Sequence, residues 1–428
     1  MREAPAPGGP FQPGFWRSPI RGPWLTSVFG LVLLAGIPVL FVTGALSYAA
    51  YNPGLGPLND QTPDKGLLGF YLFHWPTHPY WLYRLTQGVH VTLGVVLVPV
   101  LLAKLWSVIP RLFAWPPVRN PANALERLTL VLLVGGVIFE FVTGIFNIQL
   151  YYIFPGSFYR LHLYGAWVFI AAFIVHVTLK AGPMWRALRS RSFVTELRTD
   201  LAHTRPEPAD ADQDGLSLVP AAPAAPTISR RGAVGMVGAG SLALLAVTAG
   251  QSIGGRLRVT ALLAPHGRNP GSGPNGFQIN KTAAAVGISA SDVGPDWRLE
   301  VAGHATMLTF TRAELLTLPQ HSAALPIACV EGWSTPDQHW SGLRLADLAA
   351  MAGLPDAGTV LVESVQPPGP YTSVMLRGNQ IRDPRSLLAL RVNGADLSLD
   401  HGYPARIIVP ANPGVNNTKW VRRLTFRT

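Results

Sequence analysis

The sequence predicts two fold classes in one chain: an all-α bundle of membrane-spanning helices, followed by a compact α+β domain. Composition is the first observation behind this. Of 428 residues, 48% are hydrophobic and only 13% charged, where ordinary soluble domains carry about 25% charged residues. The second is a change of pattern: long apolar runs end at Ile253, and short alternating runs begin beyond Asn275. The formal net charge of +11 falls mostly on residues that flank apolar runs and forms no single patch. That favours a membrane over nucleic acid as the partner.

A spanning helix needs about 20 mostly apolar residues, and five segments qualify: Trp24–Ala50, Trp81–Val108, Leu125–Ile148, Phe158–Ala181 and the Gly/Ala-rich Gly232–Ile253. Basic residues set the orientation. Arg2, Arg17 and Arg21 precede the first span, and Lys104, Arg111 and Arg119 lie between the second and third. Lys180, Arg186, Arg189, Arg191, Arg198, Arg205, Arg230 and Arg231 follow the fourth. The first outer loop holds only Lys65, and residues 149–157 hold no basic residue. The N-terminus is therefore expected in the cytoplasm of a bacterial cell. After five crossings the C-terminal domain is expected on the outer face of the cytoplasmic membrane.

The expected domains are a four-span bundle at 24–182, a cytoplasmic Pro/Ala-rich linker at 183–228, a fifth span at 229–254 and the α+β domain at 275–428. In the last, Trp297–Val301, Val360–Val365, Ala405–Val409 and Lys419–Arg427 read as strands. Arg312–Leu318 and Leu343–Ala352 read as short helices. Glycines 232, 235, 238 and 240 follow no strand, so they read as small residues for close helix packing, not as a dinucleotide loop. Ser229-Arg230-Arg231 resembles a twin-arginine export signal, although Gly-Ala-Val-Gly after it departs from the fuller pattern. Ordinary inner-face basic residues are the other reading.

Histidine inside a bilayer is costly and rarely there without a task. His90 lies 20 residues before Pro110, and His162 lies 21 before Pro183. If both helices end at those prolines, the two imidazoles share a depth, as the two axial ligands of one haem b iron must. Gly94 and Gly165 nearby would let a flat macrocycle approach. The alternative is that the histidines hydrogen-bond between helices. His176 is 14 residues past His162, roughly 21 Å deeper on nearly the same face. It has the spacing of a second haem contact, but its matching position on the second span is Ala103, beside Lys104. One haem, on the outer side, is expected. His74 and His78 read as exposed loop residues. Glu140 in the third span reads equally as a proton relay for a quinol and as a hydrogen-bonded packing residue. Residues 24–181 resemble the b-type cytochrome subunits that anchor hydrogenases and formate dehydrogenases. The missing histidine on the first span departs from the two-haem members.

Cys329 is the only cysteine, so the chain has neither a disulfide framework nor a cysteine cluster for zinc or iron–sulfur. A lone buried thiol is usually an inert hydrophobe. Its surroundings argue otherwise. Phe277-Gln-Ile-Asn280-Lys281-Thr282, Cys329-Val-Glu-Gly-Trp-Ser334 and His401-Gly-Tyr-Pro-Ala-Arg406-Ile-Ile-Val-Pro410, with Lys419-Trp420, resemble three stretches of the sulfite oxidase family. Among its branches they are most similar to the periplasmic methionine-sulfoxide reductase catalytic subunit. The resemblance implies a sulfite oxidase-like molybdopterin-binding fold, with Cys329 as the molybdenum ligand. His401, Arg406 and Lys419 would anchor the pterin phosphate as cationic donors, with Asn280 and Lys281 assisting. The implied enzyme exchanges electrons with quinol or quinone through haem b and moves an oxygen atom to or from a small oxo-acceptor or oxo-donor. A sulfoxide-like acceptor is favoured. A sulfite-type dehydrogenase is the alternative enzyme, and a non-catalytic scaffold on a cytochrome anchor is the alternative of another class. The substrate arginines of sulfite oxidases are not placed; Arg377, Arg382, Arg385 and Arg391 are candidates by sequence proximity.

Overall fold

Five helices of the computed structural model are long and apolar enough to cross a membrane. The structure describes residues 6–51, 72–116, 120–148, 158–208, 218–264, 271–367 and 371–428. Arg2, Lys65, Arg119 and the loop 149–157, all used above for orientation, lie outside the described residues. The spans are α1 Pro23–Tyr51, α2 Leu82–Leu112, α3 Pro121–Asn147 and α4 Phe158–Ser190, and a fifth made of α6 Arg230–Thr248 with the short α7 Gly250–Ile253. Between α4 and α6 lies α5, Phe193–Arg198, whose Ser192 side chain accepts from the Thr195 amide as an N-cap.

Two expectations change here. Pro110 and Pro183 lie inside α2 and α4, so neither proline marks a helix end, and the depth count from them loses its ruler. In a long apolar helix, neighbouring helices can compensate the backbone bond that proline removes. The stretch 183–228 is also not simply a linker. Its first residues continue α4, and Glu196 and Glu207 are buried, facing Arg230. The Arg230 guanidinium is 2% exposed. Its Nη1 donates to the Arg205 carbonyl at 2.9 Å, and it lies 3.5 Å from Glu196 Oε2 and 3.8 Å from Glu207 Oε1. In the folded protein Arg230 is a structural ion-pair partner.

The chain divides into two compact units. One comprises Met1–Phe41, Leu93–Gly144 and Leu161–Leu245; the other comprises Val42–Thr92, Ile145–Arg160 and Ala246–Thr428. The first unit packs around Trp24, Leu25, Phe29 and Leu33 of α1, Leu97 and Leu101 of α2, Val137 of α3 and Phe169 of α4.

The second unit holds the sheets, built from β1 Leu299–Ala302, β2 Met307–Phe310, β3 His321–Leu325, β4 Gln338–Arg344, β5 Thr359–Ser364, β6 Ser373–Arg377, β7 Leu387–Val392, β8 Ala395–Asp396, β9 Arg406–Ile408 and β10 Val421–Arg427. Short helices α8 Arg312–Thr317, α9 Leu345–Met351 and α10 Gly378–Arg382 interrupt them. One sheet runs β2-β1-β10-β5-β6; the other runs β3-β4-β7-β8, with β9 also on β7. Among the named strands of the described residues, β1 and β10 are the pair that runs parallel. The expected strands and short helices appear within a few residues of their predicted bounds, while β2, β3, β4, β6, β7 and β8 were not anticipated. The strand β7 is apolar on both faces: Leu388 and Leu390 join the core between the sheets, and Leu387, Ala389 and Val392 join a second cluster behind it. A run without alternation cannot be told from a buried helix by period. The second cluster contains Cys329, Phe277, Trp333 and Trp340; period-two alternation puts Arg406 on the Ile408 side of β9, which faces that cluster.

Candidate functional site

The site grows from the back of that second sheet. Cys329 sits in a tight turn: its amide donates to the Trp333 carbonyl at 2.9 Å, and the Gly332 amide donates back to the Cys329 carbonyl at 3.0 Å. Closing so short a loop takes a left-handed residue, and Gly332 has φ +89°. The thiol is buried at 2% exposure. Burial, and then the neighbouring Glu331 carboxylate, push it well above the usual thiol range. Such a group is a poor nucleophile at neutral pH. A metal ion, which deprotonates a coordinating thiol outright, suits it better. Among the described residues no cluster of three His, Cys, Asp or Glu side chains could hold a metal, so any metal here takes one protein sulfur and depends on another ligand.

The turn is seated on the N-terminal part of α2 and on α7, within the same compact unit. The Gln87 amide donates to the Val330 carbonyl. Ser252 Oγ donates to the Gly332 carbonyl at 2.5 Å, and Ser334 Oγ donates to the Ser252 carbonyl at 2.6 Å. A Cβ on Gly332 would lie 2.7 Å from Val91 Cβ. Tyr83 packs with Ala328 and Val330. Nearby, Arg258 is buried with its guanidinium 5.9 Å from the Trp333 ring, and burial lowers it to about 10. None of Tyr83, Gln87, Ser252 and Arg258 was anticipated. Gln87 lies three residues before His90, on a helix read only for its histidine, and the others carry no motif.

Behind the turn lies a buried cationic pocket. Arg406 is 3% exposed; its Nη1 donates to the His401 carbonyl at 3.1 Å and its Nη2 to the Asn417 carbonyl at 3.2 Å. Its Nε has no partner among the described residues. Lys419 Nζ donates to the carbonyls of Lys281, at 2.5 Å, and Asp400, at 2.9 Å. Lys281 Nζ lies 3.4 Å from Gln366 Oε1 and 5.8 Å from the Tyr371 ring. Burial lowers Arg406 to about 9. Burial first, then the charge of Arg406, lowers Lys419 well below the usual amine range. A pocket that strains against its own cations gains most from an anion. Gly402, at φ +103°, keeps the strand approach open, because a Cβ there would sit 3.0 Å from Lys419 Cβ and 3.2 Å from Arg406 Cβ.

His401 belongs to this pocket, but not as a cation. Its ring stacks on Phe277 at 3.8 Å between centroids, and Nε2 donates to the Asn275 carbonyl at 2.9 Å. Burial and then Arg406 push it down to about 3. It orders the pocket as a neutral ring and leaves charge pairing to Arg406 and Lys419. Asn280 is half-buried beside Lys281. The pocket thus gathers Lys281, His401, Arg406 and Lys419, with Asn280 next to it in the chain.

Two of the four arginine candidates, Arg385 and Arg391, are paired with aspartates. Arg385 Nη2 lies 2.8 Å from Asp383 Oδ2 and also contacts exposed His78. Arg391 lies 3.2 Å from Asp396. His162 Nδ1 lies 3.1 Å from Glu140 Oε2 and 3.0 Å from Thr143 Oγ1; His90 Nδ1 lies 3.1 Å from Thr43 Oγ1. Gly165 does not leave room for a macrocycle, since Glu140 Oε1 and Phe139 fill the place of its Cβ. His176 lies within α4.

Residues 286–428 match the family described as oxidoreductase molybdopterin binding domain. A Bacillus subtilis protein described as uncharacterized oxidoreductase YuiH is 33% identical over 134 residues, covering 30% of this chain and 65% of that protein. Mitochondrial sulfite oxidase of Drosophila melanogaster is 32% identical over 154 residues, 30% of this chain and 27% of that one. The sulfane dehydrogenase SoxCD of Paracoccus pantotrophus aligns over 31% of this chain and 38% of its own, at 26% identity and a TM-score of 0.28. The matched part spans less than two thirds of these curated relatives.

Proposed function

Residues 286–428 are a molybdopterin-binding oxidoreductase domain of the sulfite oxidase family, and from that premise we propose a membrane-anchored molybdenum enzyme fused to its own electron-transfer cytochrome. The pocket fits the cofactor: Cys329 offers one soft thiolate to the metal. Arg406 and Lys419, with Lys281 beside them, offer buried donors to a phosphate, and the unpartnered Arg406 Nε is the donor still to be used. When bound, the pterin-held molybdenum supplies oxygen-atom transfer and two-electron redox chemistry. The chain's own part is to hold the sulfur in the 329–333 turn, to neutralise the phosphate and to wall the site from water with Trp333, Trp340 and Phe277.

His90 and His162 are proposed to hold one haem b that exchanges electrons with quinol or quinone, in the cytoplasmic membrane with the molybdenum domain outside. The favoured reaction is reduction of a sulfoxide-like acceptor. An anionic substrate calls for converging cations, whereas Arg385 and Arg391 are each paired with an aspartate. The observation that carries the reading is the buried Cys329 turn set against the cationic pocket. The second reading, a sulfite-type dehydrogenase feeding electrons to quinone, draws on the sulfite oxidases among the relatives. To test both, purified protein reduced with a quinol analogue is mixed with sulfoxides, N-oxides and sulfite while the haem bands are followed. Reoxidation by a sulfoxide is expected. Haem reduction by sulfite in the oxidised protein would install the second reading.

A further inference from the structure

The chain does not leave the fifth span in a straight line. After Ile253 come two glycines with positive φ, Gly254 at +73° and Gly255 at +58°. Such a pair turns the backbone sharply without side-chain strain. The short 3-10 helix Gly255–Thr260 then runs back beside the span. At Gly250 an added Cβ would overlap the Leu257 carbonyl oxygen and lie 2.7 Å from Thr260 Oγ1, so the returning helix packs on the last turn of the span. Further on, the Leu263 amide donates to the Val247 carbonyl at 3.4 Å. Val247 lies six residues before Ile253, about 9 Å back along the helix axis.

This returning segment has two unlike faces. Arg258 and Ala261 are buried against the protein, with the Arg258 guanidinium 5.9 Å from the Trp333 ring. Leu257, Val259, Leu262 and Leu263 are each between 50% and 61% exposed. So many large apolar side chains in one short stretch mark an interaction surface. The backbone suits lipid as well. Irregular backbone at membrane depth needs its polar groups satisfied within the protein. The Ala261 and Ala264 amides donate to the Arg258 and Ala261 carbonyls at 3.0 and 3.2 Å, and the Leu262 amide donates to the Thr260 carbonyl at 2.8 Å. Thr260 Oγ1 donates to the Leu257 carbonyl at 2.8 Å. Arg84 of α2 donates to the Ser252 carbonyl at 3.2 Å and to the Ile253 carbonyl, which closes the last turn of the span. Exposed Arg256 directly follows the glycine turn, where a long cationic side chain can reach headgroup phosphates.

We propose that residues 255–263 are a re-entrant membrane contact. Leu257, Val259, Leu262 and Leu263 lie among the acyl chains of the leaflet on the side of the molybdopterin domain, and Arg256 lies at its headgroups. The inference rests on the reading that the fifth span is in the bilayer. Depth names lipid as the occupant: a segment bonded to Val247 is level with the span itself, which continues to Ile253. Arg258 carries the other face of the same segment to Trp333, so the turn that bears Cys329 is held next to the lipid surface.

The test uses full-length protein in lipid vesicles. Leu257→Cys, Leu262→Cys and Leu263→Cys each carry an environment-sensitive dye; Cys329 is buried, so the unsubstituted protein is the labelling blank. Quenching by lipids with nitroxide-labelled acyl chains is compared with quenching by aqueous iodide. The Leu262 and Leu263 positions are expected to lose most of their emission to the nitroxide lipid and little to iodide. Leu242→Cys, exposed within α6, should behave the same way, whereas Arg256→Cys and exposed His304→Cys should lose emission to iodide. All three leucines are exposed, so each variant should keep the gel-filtration profile of the unsubstituted protein; Leu257→Cys stands in if one of the other two does not. With Leu242→Cys quenched by lipid, quenching of the segment by iodide overturns the inference. So does protection from both agents, which would mean that a second copy or another protein covers it. If Leu242→Cys itself escapes the nitroxide lipid, the membrane reading falls and the inference falls with it.

Discussion

In the proposed cofactor site Cys329 and Arg406 would divide the work of holding one ligand: sulfur for the metal, guanidinium for the phosphate. Their separation makes their roles separable by substitution. Cys329→Ser is expected to keep pterin, since Arg406 and Lys419 are untouched, and to lower turnover by orders of magnitude; pterin content measured alongside turnover checks it. Arg406→Gln removes charge-assisted bonds of about 1.5–3 kcal/mol, so pterin retention after gel filtration should fall at least tenfold. His401 gives a pH prediction. Its folded pKa, about 3, lies below the ordinary imidazole value of 6.5, so the unfolded chain binds the extra proton between those values. Stability is complete above 6.5 and declines as pH falls toward 3, by up to about 1.4 kcal/mol per pH unit. Thermal unfolding of cofactor-free protein at pH 7.5 and pH 5 should show that decline, and His401→Gln should flatten it.

Among the elements, the turn 329–333 is the joint on which the site depends. It is bound on one side by the second sheet and on the other by the N-terminal part of α2 and by α7, through Gln87 and Ser252. Gly332 has both a left-handed backbone and Val91 against its α-carbon. Gly332→Ala is expected to cost about 1–3 kcal/mol from the backbone conformation alone, with a further loss as Val91 is displaced. A lowered melting temperature together with reduced molybdenum content is the result to look for. Retained stability and metal would show that the turn tolerates rearrangement. In the neighbouring sheet, β4 and β7 change register between Ser341 and Gly342. There Gly342 is needed for a close approach, since its added Cβ would lie 2.9 Å from Ala389 Cα.

At the scale of the whole molecule, the prediction concerns sidedness. Cys329 is buried and is the only cysteine, so an introduced surface cysteine gives an unambiguous label. In sealed right-side-out vesicles, His304→Cys should react with an impermeant maleimide, and Ser190→Cys should react only after the membrane is opened. The reverse pattern would invert the orientation drawn from the basic residues. Arg230 belongs to this scale too. Its ion pairs with Glu196 and Glu207 tie the stretch after α4 to the start of α6, so the arginine pair at 230–231 has a use in the folded state whether or not it is read during export.

The five long apolar helices, the segments carrying Cys329, Arg406 and Lys419, and the lone thiol were legible because each is a local signal. Twenty apolar residues, a Cys-Val-Glu-Gly-Trp turn and a run ending in Lys419-Trp420 announce themselves without neighbours. Six of the ten strands escaped; β7, for one, is buried on both faces and has no alternation to read. The neutral state of His401 escaped as well: a histidine in a cationic motif looks like another cation until burial and Arg406 are known. Only packing sets Thr143 and Glu140 against the same ring nitrogen and Gly332 against Val91. Chain order decides which chemical groups exist, whereas desolvation and hydrogen-bond direction depend on residues far apart in sequence.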